Sequence, residues 1–171
     1  LGGVNLGYHS GPAGHDPQAQ QVLLGEMVEM FRRAGVDSSP MPSLAQARWM
    51  KLVWNVPFNG LSALLDAGTE SLLASDDSRA QIKAIMQEVC AAAQALGCAL
   101  PEDFPEKLLM GTARMPDYLP SMYHDRLHNR PMELEAIYAA PLAAAAQQGV
   151  SMPRTEMIYR LLRFLEQRNG A

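Results

Sequence analysis

The chain has 171 residues, of which 48% are hydrophobic, and a formal net charge of −4 at pH 7. This length and composition fit one soluble globular domain, or one domain plus part of another, with enough apolar side chains to form a core. The negative charge argues against nucleic acid or an anionic membrane as a partner. No apolar run approaches the roughly 20 residues that cross a bilayer, and no signal peptide or repeat is recognisable.

The ends and the cysteines give two further expectations. The chain begins at Leu1 rather than at a methionine, which suggests a piece of a longer protein. Its only cysteines, Cys90 and Cys98, have a spacing that fits neither a disulfide framework nor a zinc site. We therefore expect both thiols to be reduced and structural, in a reducing, cytoplasmic compartment.

Residues 1–42 predict a strand, a helix and a second strand. The Gly-punctuated apolar run at 1–8 is typical of a strand, and an Asp-Pro pair at 16–17 is a helix start signal. Apolar residues then recur at helical spacing until Gly35, and 36–41 suits another short strand. One such unit cannot close a core, so it is interpreted as the end of an α/β domain whose beginning is absent.

From Ser43 to Ala171 the hydrophobic spacing is helical throughout. A capping box at Ser43–Gln46 opens a long helix, and Gly97 and Gly149 mark later helix ends. We predict an all-helical domain over 43–171 with about six or seven helices. Helices are expected at 43–65, from 76 to 97, around 106–110, from 131 to 149, and over the last amphipathic segment.

Lys51, Asn55 and Asn59 lie at i, i+4 and i+8 of the first long helix, which places them on one stripe. Their helix is apolar nearly all round, so an ammonium there needs a partner or a function. A surface lysine with two asparagines that bond to neighbouring backbone is the plainer alternative. Pro57 cannot donate a hydrogen bond to the preceding turn and should bend the helix between the asparagines.

A second polar block runs from Ser121 to Glu133. Ser121 follows a proline-rich loop and suits a helix cap, and Glu133 suits the first turn of the next helix. His124 and His128 are four residues apart, but no neighbouring carboxylate completes a known zinc spacing, so no metal is expected. No Gly-x-Gly-x-x-Gly fingerprint occurs, so no residue of the chain is assigned to cofactor binding.

Together these blocks resemble the ketopantoate reductase (2-dehydropantoate 2-reductase) family. The resemblance is carried by three motifs: Trp49-Met-Lys51-Leu52-Val-Trp-Asn55-Val-Pro-Phe-Asn59, Pro120-Ser121-Met122-Tyr-His-Asp125 with Arg130-Pro-Met-Glu133, and Gly149-Val150-Ser-Met-Pro153. It covers essentially the whole chain. It implies a mainly α fold, a helical C-terminal domain of the 6-phosphogluconate-dehydrogenase-like type, preceded by a strand–helix–strand remnant of a Rossmann-type NADPH-binding domain at 1–42.

The resemblance also implies roles. Lys51 would be the catalytic general acid and Glu133 would orient it or join the substrate's polar network, while Asn55, Asn59 and Ser121 would bind substrate. The activity would be NADPH-dependent reduction of ketopantoate or a related 2-keto acid, for pantothenate biosynthesis. NADPH would be bound mainly by a domain outside this chain, so the fragment alone would be inactive. A homodimer through the helical domain stays open.

Two alternatives remain at this stage. Another hydroxyacid dehydrogenase would share Lys-x3-Asn, although the Ser121–Glu133 block argues against it. A non-catalytic helical module for dimerisation or binding would share only the fold.

Overall fold

The computed structural model describes residues 3–41 and 43–169, which form two compact units, Leu1–Met50 and Lys51–Ala171. Pro42 lies outside the described residues, so the predicted domain boundary between 42 and 43 stays a prediction. The division between the units falls inside one long helix.

The first unit contains the expected strand–helix–strand element: β1 (Val4–Leu6), α1 (Pro17–Arg33) and β2 (Ser38–Pro40). The two strands pair in parallel with Val4 opposite Ser38 and Leu6 opposite Pro40, as a crossover helix requires. Asp16 caps α1, since its Oδ1 accepts hydrogen bonds from the backbone N–H of Gln18 (2.9 Å) and Ala19 (3.3 Å). Residues 1 and 2 of the predicted first strand lie outside the described residues.

The rest of the described chain is helical, as predicted, and contains no strand in 43–169. Its helices are α2 (Leu44–Leu65), α3 (Thr69–Ala74), α4 (Asp76–Ala95), α5 (Phe104–Thr112), α6 (Ser121–Leu127), a π-helical segment (Glu135–Ala139), α7 (Ala140–Gln147) and α8 (Pro153–Asn169). Helix α3 was not expected from the sequence. The helical turn after α6 begins at Leu134, so Glu133 precedes it, and its carbonyl accepts the N–H of Ile137 at 3.1 Å. No helix in the described ranges is long and apolar enough to cross a membrane.

Helix α2 is held by a buried tyrosine. The Tyr138 hydroxyl donates to the carbonyl oxygen of Val56 at 2.8 Å. Burial raises the pKa of this phenol far above its ordinary value, against the opposing effect of a hydrogen bond from the Gly60 backbone. Gly60 is required because a Cβ there would lie 2.5 Å from the Tyr138 hydroxyl and 2.5 Å from Ile158. Helix α2 continues past Pro57 without a break.

The π-helical segment precedes Pro141, which has no N–H to donate to the carbonyl of Ile137. The N–H of Ala140 reaches back five residues to the carbonyl of Glu135. Such a wide turn accommodates one extra residue. The helix that follows Glu133 therefore begins with a π turn.

A buried carboxylate joins α4 to α8. The Glu88 oxygens accept hydrogen bonds from the N–H of Arg154 (3.0 Å), the N–H of Thr155 (3.0 Å) and the Thr155 hydroxyl (2.9 Å). The two N–H groups are the first, otherwise unpaired amides of α8.

Helix α4 also carries Cys90. Both cysteines are free, and burial raises the pKa of the Cys90 thiol to about 11. That thiol stays protonated at neutral pH.

Candidate active site

Lys51 and Asn55 face outward on α2 without partners. Lys51 is exposed and Asn55 is half-buried, and neither side chain forms a hydrogen bond or ion pair with another described residue. Residues four apart on a helix lie on one face, so an ammonium and a carboxamide are displayed side by side. Their hydrogen-bonding capacity is available to a ligand.

Asn59, the third residue of the stripe, is used differently. It is only 2% exposed, and its Oδ1 accepts hydrogen bonds from the N–H of Met122 (3.2 Å) and from the Ser121 hydroxyl (3.5 Å). The structure therefore brings Asn59 and Ser121 together, and Asn59 satisfies an amide in the first turn of α6. Ser121 itself is exposed.

Glu133 is exposed and begins the segment that leads to Tyr138. Among the described residues no ion pair joins it to Lys51; orienting Lys51 was one of the two roles that the resemblance implied, beside a place in the substrate's polar network. Both groups are exposed, and water competes effectively for such pairs. The Tyr138 hydroxyl bonds to Val56, next to Asn55, so Glu133 lies five residues before a side chain anchored on α2.

His124 and His128 are joined by no third potential metal ligand among the described residues. No group of three or more potential ligands converges in 3–41 or 43–169. The ring of His128 instead contacts the carbonyl of His124 through Nδ1 at 2.7 Å.

The phosphates of a nucleotide do not fit the helix that follows β1. A dinucleotide places its pyrophosphate against free amides at a helix N-terminus. In α1 the Asp16 carboxylate already occupies the amides of Gln18 and Ala19, and its charge would repel a phosphate. The described residues thus provide no cradle for NADPH at this helix.

Comparison with known proteins places the chain. The sequence profile of the family described as ketopantoate reductase PanE/ApbA C terminal matches residues 43–166. The 2-dehydropantoate 2-reductase of Nostoc sp. is 40% identical over 139 residues, which cover 81% of this chain and 44% of that protein. The chain belongs to the ketopantoate reductase family.

Solved structures agree with the ketopantoate reductase assignment. The crystal structure of 2-dehydropantoate 2-reductase from Methylococcus capsulatus matches with a TM-score of 0.81 at 36% identity, over 87% of this chain and 48% of that one. A ketopantoate reductase from Staphylococcus aureus, described as dimeric, matches with a TM-score of 0.73 at 26% identity, over 86% of this chain and 52% of that one. The chain spans about half the length of the curated relatives it matches.

Two residues of the ketopantoate reductase motif have a structural role that sequence reasoning did not assign. Arg130 bonds Asp125 Oδ1 through Nε (2.9 Å) and Nη2 (2.8 Å), and the Arg130 N–H donates to the Asp125 carbonyl at 2.7 Å. This clamp closes the loop between α6, which begins at Ser121, and Glu133. The motif spacing could have indicated this ion pair, because an Asp and an Arg five residues apart flank a helix end.

Proposed function

We propose that the chain is the substrate-binding part of an NADPH-dependent 2-dehydropantoate 2-reductase that reduces ketopantoate to pantoate for pantothenate and coenzyme A biosynthesis in the cytoplasm. The main support is the unpartnered pair Lys51 and Asn55 on α2, a turn away from the Asn59–Ser121 contact. A helix face that served only packing or solubility would not need a lysine and an asparagine at the family's motif positions.

Lys51 is the general acid in this proposal. Reduction of a ketone develops negative charge on its oxygen, and a cation aimed at that oxygen both stabilises the charge and supplies the proton. Lys51 is exposed and engages no described carboxylate, so its ammonium is available for this role. One hydride and one proton then convert the ketone to the hydroxyl of the product.

The remaining residues hold the substrate. Asn55 donates to the ketone or hydroxyl oxygen from the same helical face as Lys51. Ser121 meets the substrate carboxylate, and the buried Asn59 supports the substrate site by accepting a hydrogen bond from the Ser121 hydroxyl. Glu133 completes the polar network around the substrate rather than forming a standing ion pair with Lys51.

A nicotinamide nucleotide supplies the hydride in such a reduction. In the proposal NADPH is bound mainly by residues outside this chain, because the sequence has no Gly-x-Gly-x-x-Gly fingerprint and the Asp16 carboxylate occupies the first amides of α1. Residues 1–171 alone should therefore show no micromolar affinity for NADPH by calorimetry and no turnover.

The proposal is tested with the full-length protein and a panel of 2-keto acids, each with NADPH and NADH. Reduction of ketopantoate with preference for NADPH supports it. Turnover of other hydroxyacids alone would favour the related dehydrogenases, and no turnover of any 2-keto acid would favour a non-catalytic helical module.

We further propose that the helical domain forms a homodimer. On α8, Met157 (58% exposed), Leu161 (46%) and Phe164 (55%) form an apolar stripe along one side of the helix. The dimeric Staphylococcus aureus relative shares the fold. Light scattering should report a dimer that Leu161→Glu dissociates, and an unchanged mass would remove this face from the interface.

A further inference from the structure

Two aromatic side chains lie on the same two segments as the polar candidates. Trp54 follows Lys51 by three residues and precedes Asn55 on α2, and Tyr118 precedes Ser121 by three residues. Their ring centroids are 6.1 Å apart, and Trp54 also stacks on Phe58 at 4.8 Å. Since residues three apart on a helix are neighbours with Cβ atoms about 5–6 Å apart, Trp54 lies beside Lys51, and Tyr118 packs near the Trp54 ring.

The Trp54 ring and the Tyr118 backbone are held by hydrogen bonds that sequence reasoning did not predict. The Trp54 Nε1–H donates to the Thr112 hydroxyl at 2.9 Å, and that hydroxyl donates to the carbonyl of Leu108 at 2.8 Å. The backbone of Tyr118 is bonded twice to Thr69, by its N–H to Oγ1 and by its carbonyl to the Thr69 N–H, both at 3.0 Å. Groups held this way are pre-oriented for recognition.

The anchoring of Tyr118 extends through its neighbour. The Asp117 carboxylate accepts the N–H of Glu70 at 2.9 Å at the start of α3. Gly68 makes room for it, because a Cβ there would collide with the Asp117 carboxylate. A loop with so many bonds around one residue would be expected to bury that residue's side chain, yet Tyr118 is 46% exposed and no described residue accepts from its hydroxyl.

We propose that Trp54 and Tyr118 form an aromatic wall that binds the apolar end of the 2-keto acid and sets substrate selectivity. The inference rests on the proposed function. The wall fits a branched or aryl substituent on the carbon next to the ketone, because a rigid ring face offers a broad apolar contact area. A 2-keto acid with a short substituent, such as pyruvate, leaves the wall uncovered.

The test measures kcat/KM of the full-length enzyme for ketopantoate, phenylglyoxylate and pyruvate. The wild type should prefer the two bulky substrates. Tyr118→Ala should lower the ratio of kcat/KM for phenylglyoxylate over pyruvate by about tenfold or more, the scale on which apolar pocket contacts discriminate. Trp54→Leu should act in the same direction. A ratio is used because partial loss of folded enzyme cancels from it.

Two controls sharpen the result. Tyr118→Phe keeps the ring and should retain the wild-type ratio. Met110→Ala removes an apolar side chain of similar exposure (47%) on α5 and should leave the ratio unchanged. An unaltered ratio in Tyr118→Ala, or a wild type that prefers pyruvate, overturns the wall while the reductase activity stands. Absence of turnover with all three substrates overturns the proposed function itself.

Discussion

Two polar clusters in residues 51–169 are built in opposite ways. At the start of α8 the Glu88 carboxylate is 9% exposed and its two oxygens accept four hydrogen bonds. On α2, Lys51 and Asn55 point outward and bond to no described residue. A polar group whose bonding capacity is spent inside the fold stabilises it, whereas one whose capacity is unspent on a rigid helix is free for a ligand.

Asn59 combines features of the two clusters, and only the structure shows which of its hydrogen bonds are made inside the fold. It shares a helical stripe with Lys51 and Asn55, yet its Oδ1 is engaged with the first turn of α6. Truncation of these residues should therefore separate into losses of activity, losses of stability, and a mixture of the two.

The largest effect is expected for Lys51→Ala in the full-length enzyme. Loss of a general acid should lower kcat by about 10²–10⁴-fold with little change in thermal stability, because the side chain is exposed. Ser121→Ala should mainly raise KM, since the carboxylate is held in ground and transition states alike. Steady-state kinetics measure both changes. Added small amines should partly restore the activity of the Lys51→Ala enzyme.

Lys107→Ala, an exposed lysine on α5, is the matched control and should behave as wild type. A Lys51→Ala enzyme with normal kcat and a lowered melting temperature would assign Lys51 to structure instead.

Glu88→Ala should have the next largest effect, and on stability rather than on chemistry. Its removal leaves the amides of Arg154 and Thr155 without acceptors at a buried helix start, at a cost of about 2–4 kcal/mol in the free energy of unfolding. Urea denaturation measures it. Glu106→Ala, which removes an exposed carboxylate paired with Lys83, should leave the midpoint close to wild type; equal losses for the two would mean that burial does not decide the outcome.

The two asparagines of the stripe should part in the same way. Asn59→Ala should lower the free energy of unfolding by about 1–3 kcal/mol, because the Met122 amide loses its acceptor. Asn55→Ala should leave stability unchanged and lower kcat/KM about fivefold, the equivalent of one hydrogen bond of about 1 kcal/mol. Parallel denaturation and kinetic measurements decide it, and identical profiles for both variants would contradict the distinction drawn from burial.

Local signals in the sequence were enough to predict most helices. Helices α1, α2 and α4 carry their own caps, at Asp16, Ser43 and Ser75, and apolar residues at helical spacing. Helix α3 was not predicted because it has six residues and its first amides bond to distant partners. The Thr69 N–H donates to the Tyr118 carbonyl, and the Glu70 N–H donates to Asp117, 47 positions away. Local patterns do not contain such partners.

The features of the candidate site also divide into those that sequence patterns predict and those that depend on distant partners. The stripe from Lys51 to Asn59 follows from helical spacing, and the family motifs identified Ser121 and Glu133. The burial of Asn59 could not be predicted, because its partner lies 63 residues away. The anchoring of the Trp54 ring and of the Tyr118 backbone could not be predicted either, because their acceptors Thr112 and Thr69 are distant in sequence.

The smallest effect is expected for Arg130→Ala, which tests whether the clamp with Asp125 positions Glu133. Arg130 is half-exposed, so its ion pair contributes little stability, and the melting temperature should hardly change. The variant loses the two side-chain bonds to Asp125 Oδ1. The backbone hydrogen bond from residue 130 to the Asp125 carbonyl, at 2.7 Å, persists. We therefore expect a few-fold loss in kcat/KM, carried by kcat and KM together, since a loosened Glu133 orients the substrate less well. Arg160→Ala breaks a comparable exposed pair with Glu156 on α8 and should leave kinetics at the wild-type level. If both arginine variants are kinetically silent, the Asp125–Arg130 pair is a surface contact and Glu133 is positioned by the π-helical segment alone.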